Sequence, residues 1–389
     1  MHKPVLIIGG GFAGVYTARE LLRHGMPVTL VSETNYFTFT PLLHEVATGS
    51  LVSHDVVFEY ESFFHDPRFR FVRGRPTTID RARRVVEVAG VEEPYAALVI
   101  AVGAVTNAYA IEGAEQAFVL KNVEDAIRLK RALIAQVQEE DRTVTVNVIG
   151  GGPTGIELVM EINLLLRQIR TQESKTRFHL RVIHAGKGLC STDRRSVQAY
   201  VGRALSRAGI EVVCEATAKR IEKTRVSTSR GEFPSDVTIL CAGVRPHTDW
   251  LRGILALDGR GHIPVNCFLQ SVEDDRVFAL GDAAAEDGTP LPKLAQTAVR
   301  QARVVARNIL RAGQGRALRP YTPKVLGTLL SLGWGDAIGT IGRIVVKGPM
   351  AWYLWRTVYL FKTPGLSNKL RVAFTWTTGL FQGRNVTEI

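Results

Sequence analysis

Two glycine-rich turns, 141 residues apart, constrain this chain of 389 residues more than any other feature. The first lies in VLIIGGGFAG at 5–14, and the second lies in VNVIGGGPTG at 146–155. Each turn follows a short run rich in β-branched residues and leads into a helical pattern. One such turn is a weak signal, but two of them in a strand–turn–helix context predict two βαβ units that each bind a dinucleotide. A flavin and a nicotinamide nucleotide are the simplest pair.

The order of the predicted elements places one of these units inside the other. We predict an α/β fold with two Rossmann-like dinucleotide-binding domains, one inserted in the other, and a C-terminal membrane-associating tail. The outer domain covers 1–110 and 258–325, the inserted domain covers 111–257, and the tail covers 326–389. Further strand-like apolar runs support this division at 97–102, 237–241 and 276–280.

In the first turn, each glycine has a predicted role. Gly9 permits the tight bend, Gly11 lets the backbone approach a pyrophosphate, and Gly14 lets the helix pack closely on the strand. Glu33 ends the second strand of the unit, where a carboxylate accepts hydrogen bonds from ribose hydroxyls. Asp282, in a Gly-Asp strand end, is a second carboxylate for the same nucleotide. The alternatives are a surface glutamate for Glu33 and a helix N-cap for Asp282.

In the second turn, Gly150, Gly152 and Gly155 repeat this arrangement. Glu157 lies two residues further on and is predicted to position the nicotinamide or to relay a proton. Glu161 lies one helical turn beyond it on the same face and is a second candidate. The alternative for Glu157 is a structural role, in which its charge complements the helix dipole.

The second strand of this unit ends differently from the first. It reads Ile183-His184-Ala185-Gly186-Lys187, where an NADH-binding unit usually carries an acid. An acid repels the 2′-phosphate of NADPH, whereas His184 and Lys187 do not. Both NADH and NADPH therefore remain candidates, as does a solvent-exposed His184 without a role.

Several function classes are excluded or made less probable by composition. The segment PLLHEVATGS at 41–50 has no cysteine, and a disulfide reductase would carry a reactive pair there. The four cysteines form no C-x-x-C pair and no metal-ligand spacing, so we expect a reduced intracellular protein without a metal site. We recognise no signal peptide, no spanning segment and no nucleic-acid motif. The net charge of +12 favours anionic partners or reflects a generally basic protein.

On these motifs the chain resembles the type II NADH:quinone oxidoreductases, single-subunit enzymes of the two-dinucleotide flavoprotein superfamily. The segments that carry the resemblance are IIGGGFAG, NYFTFTPLLHEVATGSL, VIGGGPTGIELVMEI, LPKLAQTAVRQA at 291–302, and pieces of the tail. The resemblance implies FAD as cofactor and a membrane quinone of the menaquinone, ubiquinone or plastoquinone type as acceptor. It also implies a peripheral, monotopic location on the cytoplasmic face of a membrane, without proton pumping.

The resemblance also assigns site residues. Those that would contact FAD are Gly11, Ala13, Gly14, Glu33, Thr40, Leu42, Gly103 and Asp282. Those that would contact the nicotinamide nucleotide are Gly152, Thr154, Gly155, Glu157 and Gly243. Those that would flank the flavin and the quinone entrance are Lys293, Ala295 and Gln296.

The tail is rich in aromatic and basic residues and has only two acids after Tyr321. We predict two amphipathic helices at 349–361 and 368–382, with Leu370, Phe374 and Phe381 on one face of the second. Tryptophans in both helices suit the depth of a membrane interface, and they are Trp352, Trp355 and Trp376. The alternative is a homodimer interface, which also favours aromatic residues.

The sequence therefore predicts an enzyme that oxidises NADH or NADPH through FAD and reduces a quinone. Within the same family, the rival is an NADPH-dependent reductase of a quinone precursor of the demethylnaphthoquinone type. A sulfide:quinone oxidoreductase would need reactive cysteines near the flavin. The rival from another class is a nucleotide-binding signalling flavoprotein.

Overall fold

The computed structural model describes residues 3–108, 111–137, 142–170, 176–190, 194–286, 289–290, 293–382 and 384. Leu291 and the side chain of Phe381, which the sequence predictions include, lie outside what it describes.

Nine α-helices and twenty-five strands lie within those residues. The helices are α1 (Phe12–Arg23), α2 (Leu43–Val46), α3 (Tyr60–Phe63), α4 (Val123–Ala135), α5 (Pro153–Arg170), α6 (Arg195–Ala208), α7 (Ala295–Gly313), α8 (Pro349–Lys362) and α9 (Leu366–Gln382). The first strands are β1 (Val5–Ile8), β2 (Val28–Ser32), β3 (Tyr36–Thr38), β4 (Val57–Glu59), β5 (Phe69–Arg73), β6 (Pro76–Asp80), β7 (Val85–Val88), β8 (Val91–Pro94), β9 (Ala97–Ile100) and β10 (Ala104–Thr106). The middle strands are β11 (Thr143–Ile149), β12 (Arg177–Ile183), β13 (Glu211–Val213), β14 (Ala218–Glu222), β15 (Arg225–Thr228), β16 (Gly231–Pro234), β17 (Val237–Leu240) and β18 (Val244–Pro246). The last strands are β19 (Ile263–Val265), β20 (Val277–Ala279), β21 (Ala284–Glu286), β22 (Thr289–Pro290), β23 (Gly327–Ser331), β24 (Ala337–Ile341) and β25 (Ile344–Lys347).

The chain divides into two units. The first unit consists of Met1–Thr38, Phe58–Val105 and Val244–Val325. The second unit consists of Phe39–Val57, Thr106–Gly243 and Leu326–Ile389, so it includes the C-terminal region. The assignment of the predicted domains to FAD and to NAD(P)H stays a prediction.

The first unit is built on a five-stranded sheet in the order β20-β9-β1-β2-β5. All neighbouring strands run parallel. Strand β1 is buried along its whole length because its four residues, VLII, are all apolar. This strand order is that of a doubly wound dinucleotide-binding domain, in which ligands bind at the carboxyl ends of the strands. Helix α1 follows β1 and packs on α7.

The second unit is built on a four-stranded parallel sheet in the order β13-β12-β11-β17. This order corresponds to β5-β2-β1-β9 of the other sheet, and α5 takes the place of α1. Two antiparallel sheets, β14-β15-β16 and β23-β24-β25, complete the unit. The predicted α/β fold with two Rossmann-like sheets is confirmed.

The C-terminal region forms the two predicted helices, but its tryptophans are placed differently from the prediction. Trp352, Trp355 and Trp376 are buried in the second unit, at 6%, 1% and 6% exposure, so the prediction that they lie at interfacial depth is wrong. Trp355 packs on Trp376, and α8 packs on the preceding sheet β23-β24-β25, because large apolar side chains are more stable in the core than at the protein surface. Among the described residues, no helix combines the length and the hydropathy that crossing a bilayer requires.

Candidate functional site

The first glycine turn has the geometry of a phosphate cradle. Gly9 has a φ of +107°, and a Cβ atom there would lie 2.3 Å from the carbonyl oxygen of Ala101. Gly14 packs against the turn so closely that its Cβ would lie 1.9 Å from the Gly9 oxygen. At Gly11, in contrast, no atom lies within 4 Å of where a Cβ would be. This open space precedes the N-terminus of α1, where backbone N–H groups favour an anion.

A cavity of about 170 Å³ in the first unit extends from this turn to the end of β2. Glu33 lines it and is exposed to solvent. Sequence reasoning missed three further lining residues, since no local motif marks them: Arg75, His247 and Trp250. Burial lowers the pKa of His247, and the charge of Arg75 lowers it further. The cavity therefore extends from the glycine turn to the carboxylate of Glu33, and the guanidinium of Arg75 and the ring of Trp250 also line it.

Asp282 lies close to the first turn within the same unit. It is part of a 3₁₀ turn, Gly281–Ala283, whose N-cap residue is Leu280, so the alternative role of Asp282 as an N-cap does not apply. A Cβ at Gly281 would lie 3.4 Å from the Cβ of Ala13 in α1. The structure thus brings the Gly-Asp segment and the start of α1 together, as ligand binding at one edge of the sheet requires.

Lys293, Ala295 and Gln296 lie at the N-terminus of α7. The Nζ atom of Lys293 donates a hydrogen bond to the backbone oxygen of Val244 at 3.0 Å. Burial lowers the pKa of Lys293, while the charge of Asp282 opposes this. Ala295 and Gln296 begin the helix and are partly exposed. These residues therefore offer a fixed cation and an amide at one helix N-terminus.

The other residues assigned to FAD lie in both units. Gly103 belongs to the first unit, has a φ of +67° and accepts a hydrogen bond from the backbone N–H of His247. Thr40 and Leu42 belong to the second unit, in a 3₁₀ helix at Thr40–Leu42. Thr40 is exposed and Leu42 is fully buried.

The second glycine turn repeats the geometry of the first. Gly150 has a φ of +122°, and its Cβ would lie 2.2 Å from the oxygen of Cys241. Gly155 packs back on Gly150, with a Cβ that would lie 2.1 Å from the Gly150 oxygen. Gly152 again has no atom within 4 Å of its Cβ position. Two further predicted ligand residues of this unit are exposed, and they are Thr154 and Gly243.

His184 does not point out from the strand end as an acid in an NADH site would. Its Nδ1 atom accepts a hydrogen bond from the backbone N–H of Gly151 at 3.2 Å. A Cβ at Gly186 would lie 2.8 Å from the Nε2 atom, so the imidazole ring packs closely against the backbone of Gly151 and of Gly186. His184 therefore supports the turn, and no carboxylate occupies its position.

Glu157 lies in α5 immediately beyond the second turn. Its carboxyl accepts a hydrogen bond from the backbone N–H of Ser331 at 3.0 Å. Burial raises the pKa of Glu157 to about 8, against the opposing effect of this hydrogen bond, and the neighbouring carboxyls of Glu161 and Glu45 add to the rise. At neutral pH the group therefore carries a proton, which suits a proton-relay role better than a purely dipolar one.

A buried cluster of charged residues surrounds Glu157 in the second unit, and sequence reasoning missed most of it. Glu161 forms an ion pair with Arg384 at 2.6 Å. Glu45 of α2 accepts a hydrogen bond from the indole Nε1 of Trp376 at 2.6 Å. In the sequence, only the spacing of Glu157 and Glu161 along α5 indicated a group of acids. The other members of the cluster come from segments that lie far apart in the chain.

The residues of the first unit fit a dinucleotide such as FAD. The open space at Gly11 has room for a pyrophosphate, the N-terminus of α1 favours its charge, and the adjoining cavity ends at the carboxylate of Glu33.

Comparison with known families agrees with this geometry. The family model for pyridine nucleotide-disulphide oxidoreductases matches residues 3–302. The chain belongs to this family. A second model, for the NDH2 C-terminal domain, matches residues 325–385. The resemblance to type II NADH:quinone oxidoreductases drawn from the sequence is thereby confirmed. All four cysteines are free, so the disulphide in the family's name has no counterpart here.

Curated relatives are similar along nearly the whole chain. A demethylphylloquinone reductase from Synechocystis sp. is 28% identical, over 96% of this chain and 95% of the relative. A type II NADH:quinone oxidoreductase from Mycobacterium tuberculosis is 25% identical, over 98% of this chain and 88% of the relative.

Among solved structures, NDH2 from Plasmodium falciparum in complex with NADH has the same fold. Its TM-score is 0.90 at 16% identity, with all of both chains covered.

Proposed function

We propose that this chain is an NAD(P)H:quinone oxidoreductase that holds FAD at the first glycine turn and binds NADH or NADPH at the second. The observation that carries the proposal is the presence of two glycine cradles of equal geometry, each at the carboxyl end of a parallel sheet, in a chain of this family. When bound, FAD supplies the two-electron chemistry that links hydride donors to quinones. The polypeptide supplies binding, orientation and electrostatics.

The residues of the first unit have two tasks in this proposal. Gly9, Gly11 and Gly14 admit the pyrophosphate, and Glu33 accepts hydrogen bonds from the ribose. At the N-terminus of α7, Gln296 offers an amide to the quinone, and Lys293 holds a positive charge beside it.

In the second unit, Gly150, Gly152 and Gly155 admit the nicotinamide nucleotide, and Glu157 supplies a protonated carboxyl. A carboxyl with a pKa of about 8 donates a proton at neutral pH and recovers it from solvent. We therefore assign to Glu157 the relay of a proton during turnover, in addition to positioning the nicotinamide.

The decisive experiment separates the two halves of the reaction. The purified protein is reduced anaerobically with NADH or NADPH while the flavin absorbance is followed, and a quinone is then added from a series of ubiquinone, menaquinone and demethylated analogues. We expect at least one of the two nucleotides to bleach the flavin absorbance, and a quinone to restore it. If neither nucleotide bleaches the flavin, the result would favour a nucleotide-binding signalling flavoprotein. If the flavin is bleached but no quinone restores its absorbance, a quinone is excluded as the electron acceptor.

A second candidate function is the NADPH-dependent reduction of a quinone precursor. The observation that favours it is His184, which stands where an NADH-binding unit usually has an acid. The site therefore has no carboxylate at this position to repel the 2′-phosphate of NADPH. One relative is a demethylphylloquinone reductase. A clear preference for NADPH together with a preference for demethylated naphthoquinones would select this function, whereas a strong NADH preference would remove it.

The exposed faces of the C-terminal helices support attachment to a membrane surface. In α8 and α9, six large apolar side chains are between 64% and 80% exposed: Met350, Tyr353, Phe361, Leu366, Leu370 and Phe374. Monomeric soluble proteins seldom expose so many together. Lys362 of α8 and Lys369 of α9 lie among them in the sequence, and a lysine near an anionic bilayer contributes about 1 kcal/mol. The quinone acceptor would be dissolved in that bilayer.

Point variants test this attachment better than a deletion, because the same helices bury three tryptophans. Replacing Leu370 and Phe374 by serine removes apolar contact while leaving the buried face intact. We expect co-sedimentation with phosphatidylglycerol-containing vesicles to fall at least about tenfold. The matched control on the same helix is Ser367→Ala. If the double variant still binds vesicles but becomes monomeric, the face is instead a homodimer interface.

We place the protein at the cytoplasmic face of the membrane. Four free cysteines suit a reducing compartment. Accessibility of Cys267, which is exposed, to a membrane-impermeant thiol reagent in right-side-out and inverted vesicles tests the orientation. Labelling only in inverted vesicles is expected.

A further inference from the structure

The carboxyl end of β12 is the place in the second unit where the adenosine ribose of a bound dinucleotide would lie. In a βαβ unit of this kind, a side chain at the end of the second strand contacts the 2′ position of that ribose. The backbone N–H of Gly150 donates to the oxygen of Ile183 at 2.8 Å, so the glycine turn is fixed directly beside this strand end. The groups around the strand end therefore decide between a 2′-hydroxyl and a 2′-phosphate.

The segment that follows β12 contains a cation and no carboxylate. Residues 184–187 read His-Ala-Gly-Lys, and Lys187 at the end of the segment is exposed to solvent. The ring of His184 is turned toward the glycine turn, because its Nδ1 atom accepts a hydrogen bond from the backbone N–H of Gly151. Lys187 is therefore the side chain of this segment that is available to a charged group on the ribose.

The strand-end segment is bonded to the loop that follows β13, residues 214–217. The backbone N–H of Ala216 donates to the oxygen of His184 at 2.9 Å, and that of Glu215 donates to the oxygen of Gly186 at 3.0 Å. These two hydrogen bonds continue the pairing of β12 with β13 past the ends of both strands. The two segments therefore lie side by side at the carboxyl edge of the sheet.

The turn between β15 and β16 holds a second cation at this loop. The guanidinium of Arg230 donates to the backbone oxygen of Cys214 at 3.0 Å. Next to it, the Oγ atom of Ser229 accepts a hydrogen bond from the backbone N–H of Thr217 at 3.0 Å and donates one to the oxygen of Glu215 at 3.3 Å. These side-chain hydrogen bonds fix the turn on the loop, and with it the position of the guanidinium.

Few bonds separate the two cations. Arg230 donates to the carbonyl of Cys214, and the same peptide group carries the N–H of Glu215. That N–H donates to the carbonyl of Gly186, which belongs to the peptide group of Lys187. The guanidinium and the backbone of Lys187 are thus joined by two hydrogen bonds through one peptide group. Both side chains are exposed, so a phosphate at the strand end lies within reach of both.

Lysine and arginine bind a phosphate in complementary ways. The guanidinium of Arg230 is a planar group with several N–H donors, of which Cys214 engages one, and the ammonium of Lys187 is a compact point charge on a flexible stem. A neutral ribose hydroxyl gains far less from two cations than a phosphate that carries negative charge. The pair therefore has the chemistry to distinguish the two nucleotides.

We propose that Lys187 and Arg230 form a clamp for the 2′-phosphate of NADPH, and that this clamp makes NADPH the preferred hydride donor at the second glycine turn. The proposal rests on the function proposed above and names its nucleotide. The clamp lies at the adenosine end of the nucleotide, away from the nicotinamide ring. Its two residues therefore determine specificity and are not catalytic.

One carboxylate opposes the clamp. Glu215 is exposed and belongs to the loop that carries the contact of Arg230. Burial raises the pKa of the Cys214 thiol, the charge of Glu215 raises it further, and the charge of Arg230 lowers it. Both charges therefore act at the same place, and removing the carboxylate should strengthen the binding of a 2′-phosphate.

The test compares two nucleotides that differ only in the 2′-phosphate. The affinities of the purified holoprotein for 2′,5′-ADP and for 5′-AMP are measured by isothermal titration calorimetry at low ionic strength. We expect 2′,5′-ADP to bind at least about tenfold more tightly than 5′-AMP. Because the clamp is exposed, added salt should reduce this ratio. Equal affinities at low ionic strength would overturn the proposal.

Variants assign the difference to the two side chains. Lys187→Gln and Arg230→Gln should each weaken the binding of 2′,5′-ADP about fivefold and leave that of 5′-AMP unchanged, whereas Glu215→Gln should strengthen the binding of 2′,5′-ADP. The matched control is Lys223→Gln, because Lys223 is exposed in the turn between β14 and β15, at the opposite end of β15. The control should change neither affinity.

The outcomes separate a clamp from a structural role. If Lys187→Gln and Arg230→Gln weaken both nucleotides equally, the side chains only support the loop and the proposal is overturned. If Arg230→Gln does not fold, Lys187→Gln decides on its own. Tight binding of 2′,5′-ADP by a protein whose flavin NADPH does not bleach would refute only the proposed function. Equal affinities in a protein that reduces quinones would refute only the clamp.

Discussion

The two βαβ units have nearly the same turn and differ in the side chains that follow it. The forbidden Cβ approaches at Gly9 and Gly150 are 2.3 and 2.2 Å, and those at Gly14 and Gly155 are 1.9 and 2.1 Å. Two residues after the last glycine, the first unit has Tyr16 and the second has Glu157. The backbone geometry of the turn is therefore common to both units, and the units differ in whether a carboxyl group follows it.

The difference continues one helical turn further along. Glu20 in α1 lies 3.7 Å from Arg307 and 3.9 Å from Arg23, both of which are largely exposed. Glu161 takes the equivalent position in α5 and pairs with Arg384 in the interior. Surface ion pairs contribute little, whereas a buried pair strongly constrains its surroundings. The second helix is thus the one that carries an acid paired in the interior.

The largest effect is expected from removing the feature that the two turns share. Gly9→Ala places a Cβ against the Ala101 carbonyl at a positive φ, so we expect it to destabilise the protein by about 2–5 kcal/mol. Gly150→Ala should act similarly. Urea unfolding measures both, with Gly11→Ala as a control in open space. Unfolding midpoints equal to that of the control would contradict the cradle geometry.

The next effect concerns the acid that only the second unit carries. The pKa of Glu157 is about 8 in the folded protein and lower in the unfolded protein, so the folded state keeps this proton up to a higher pH. Stability is therefore lost as pH rises from about 4.5 to 8, by at most about 1.4 kcal/mol per pH unit. Glu157→Gln should reduce this loss in denaturant titrations at pH 5 and 8. An unchanged pH dependence would mean that Glu157 ionises normally.

The smallest effect concerns the strand ends. Glu33 is exposed beside its cavity, whereas His184 is folded back onto Gly151. His184→Asp restores an acid that repels a 2′-phosphate, so the NADPH-to-NADH ratio of kcat/KM should fall about tenfold. His184→Ala separates charge from loss of the hydrogen bond to the turn. A ratio that falls equally in both variants would show that the hydrogen bond, and not the charge, sets the preference.

How far the sequence predicted the molecule depended on how local each feature is. The turns at Gly9 and Gly150 and the parallel sheets follow from short-range patterns, and they were predicted. Composition identified an unusual tail but does not show which face of each helix is buried. The prediction that Trp376 lies at the depth of a membrane interface was therefore wrong. Glu45 and Arg384 come together only through tertiary packing, which no spacing in the chain reveals.

The most direct test of the roles of the two turns puts the same charge into the two open positions, Gly11 and Gly152. Gly11 and Gly152 have ordinary backbone angles and room for a side chain, so a glutamate at either should fold and repel a pyrophosphate. Flavin content and anaerobic bleaching by NAD(P)H are measured on both variants. We expect Gly11→Glu to be purified without flavin, and Gly152→Glu to keep its flavin but to be bleached at least about 100-fold more slowly. Loss of flavin from Gly152→Glu, or unchanged bleaching in it, would contradict the assignment of the two turns.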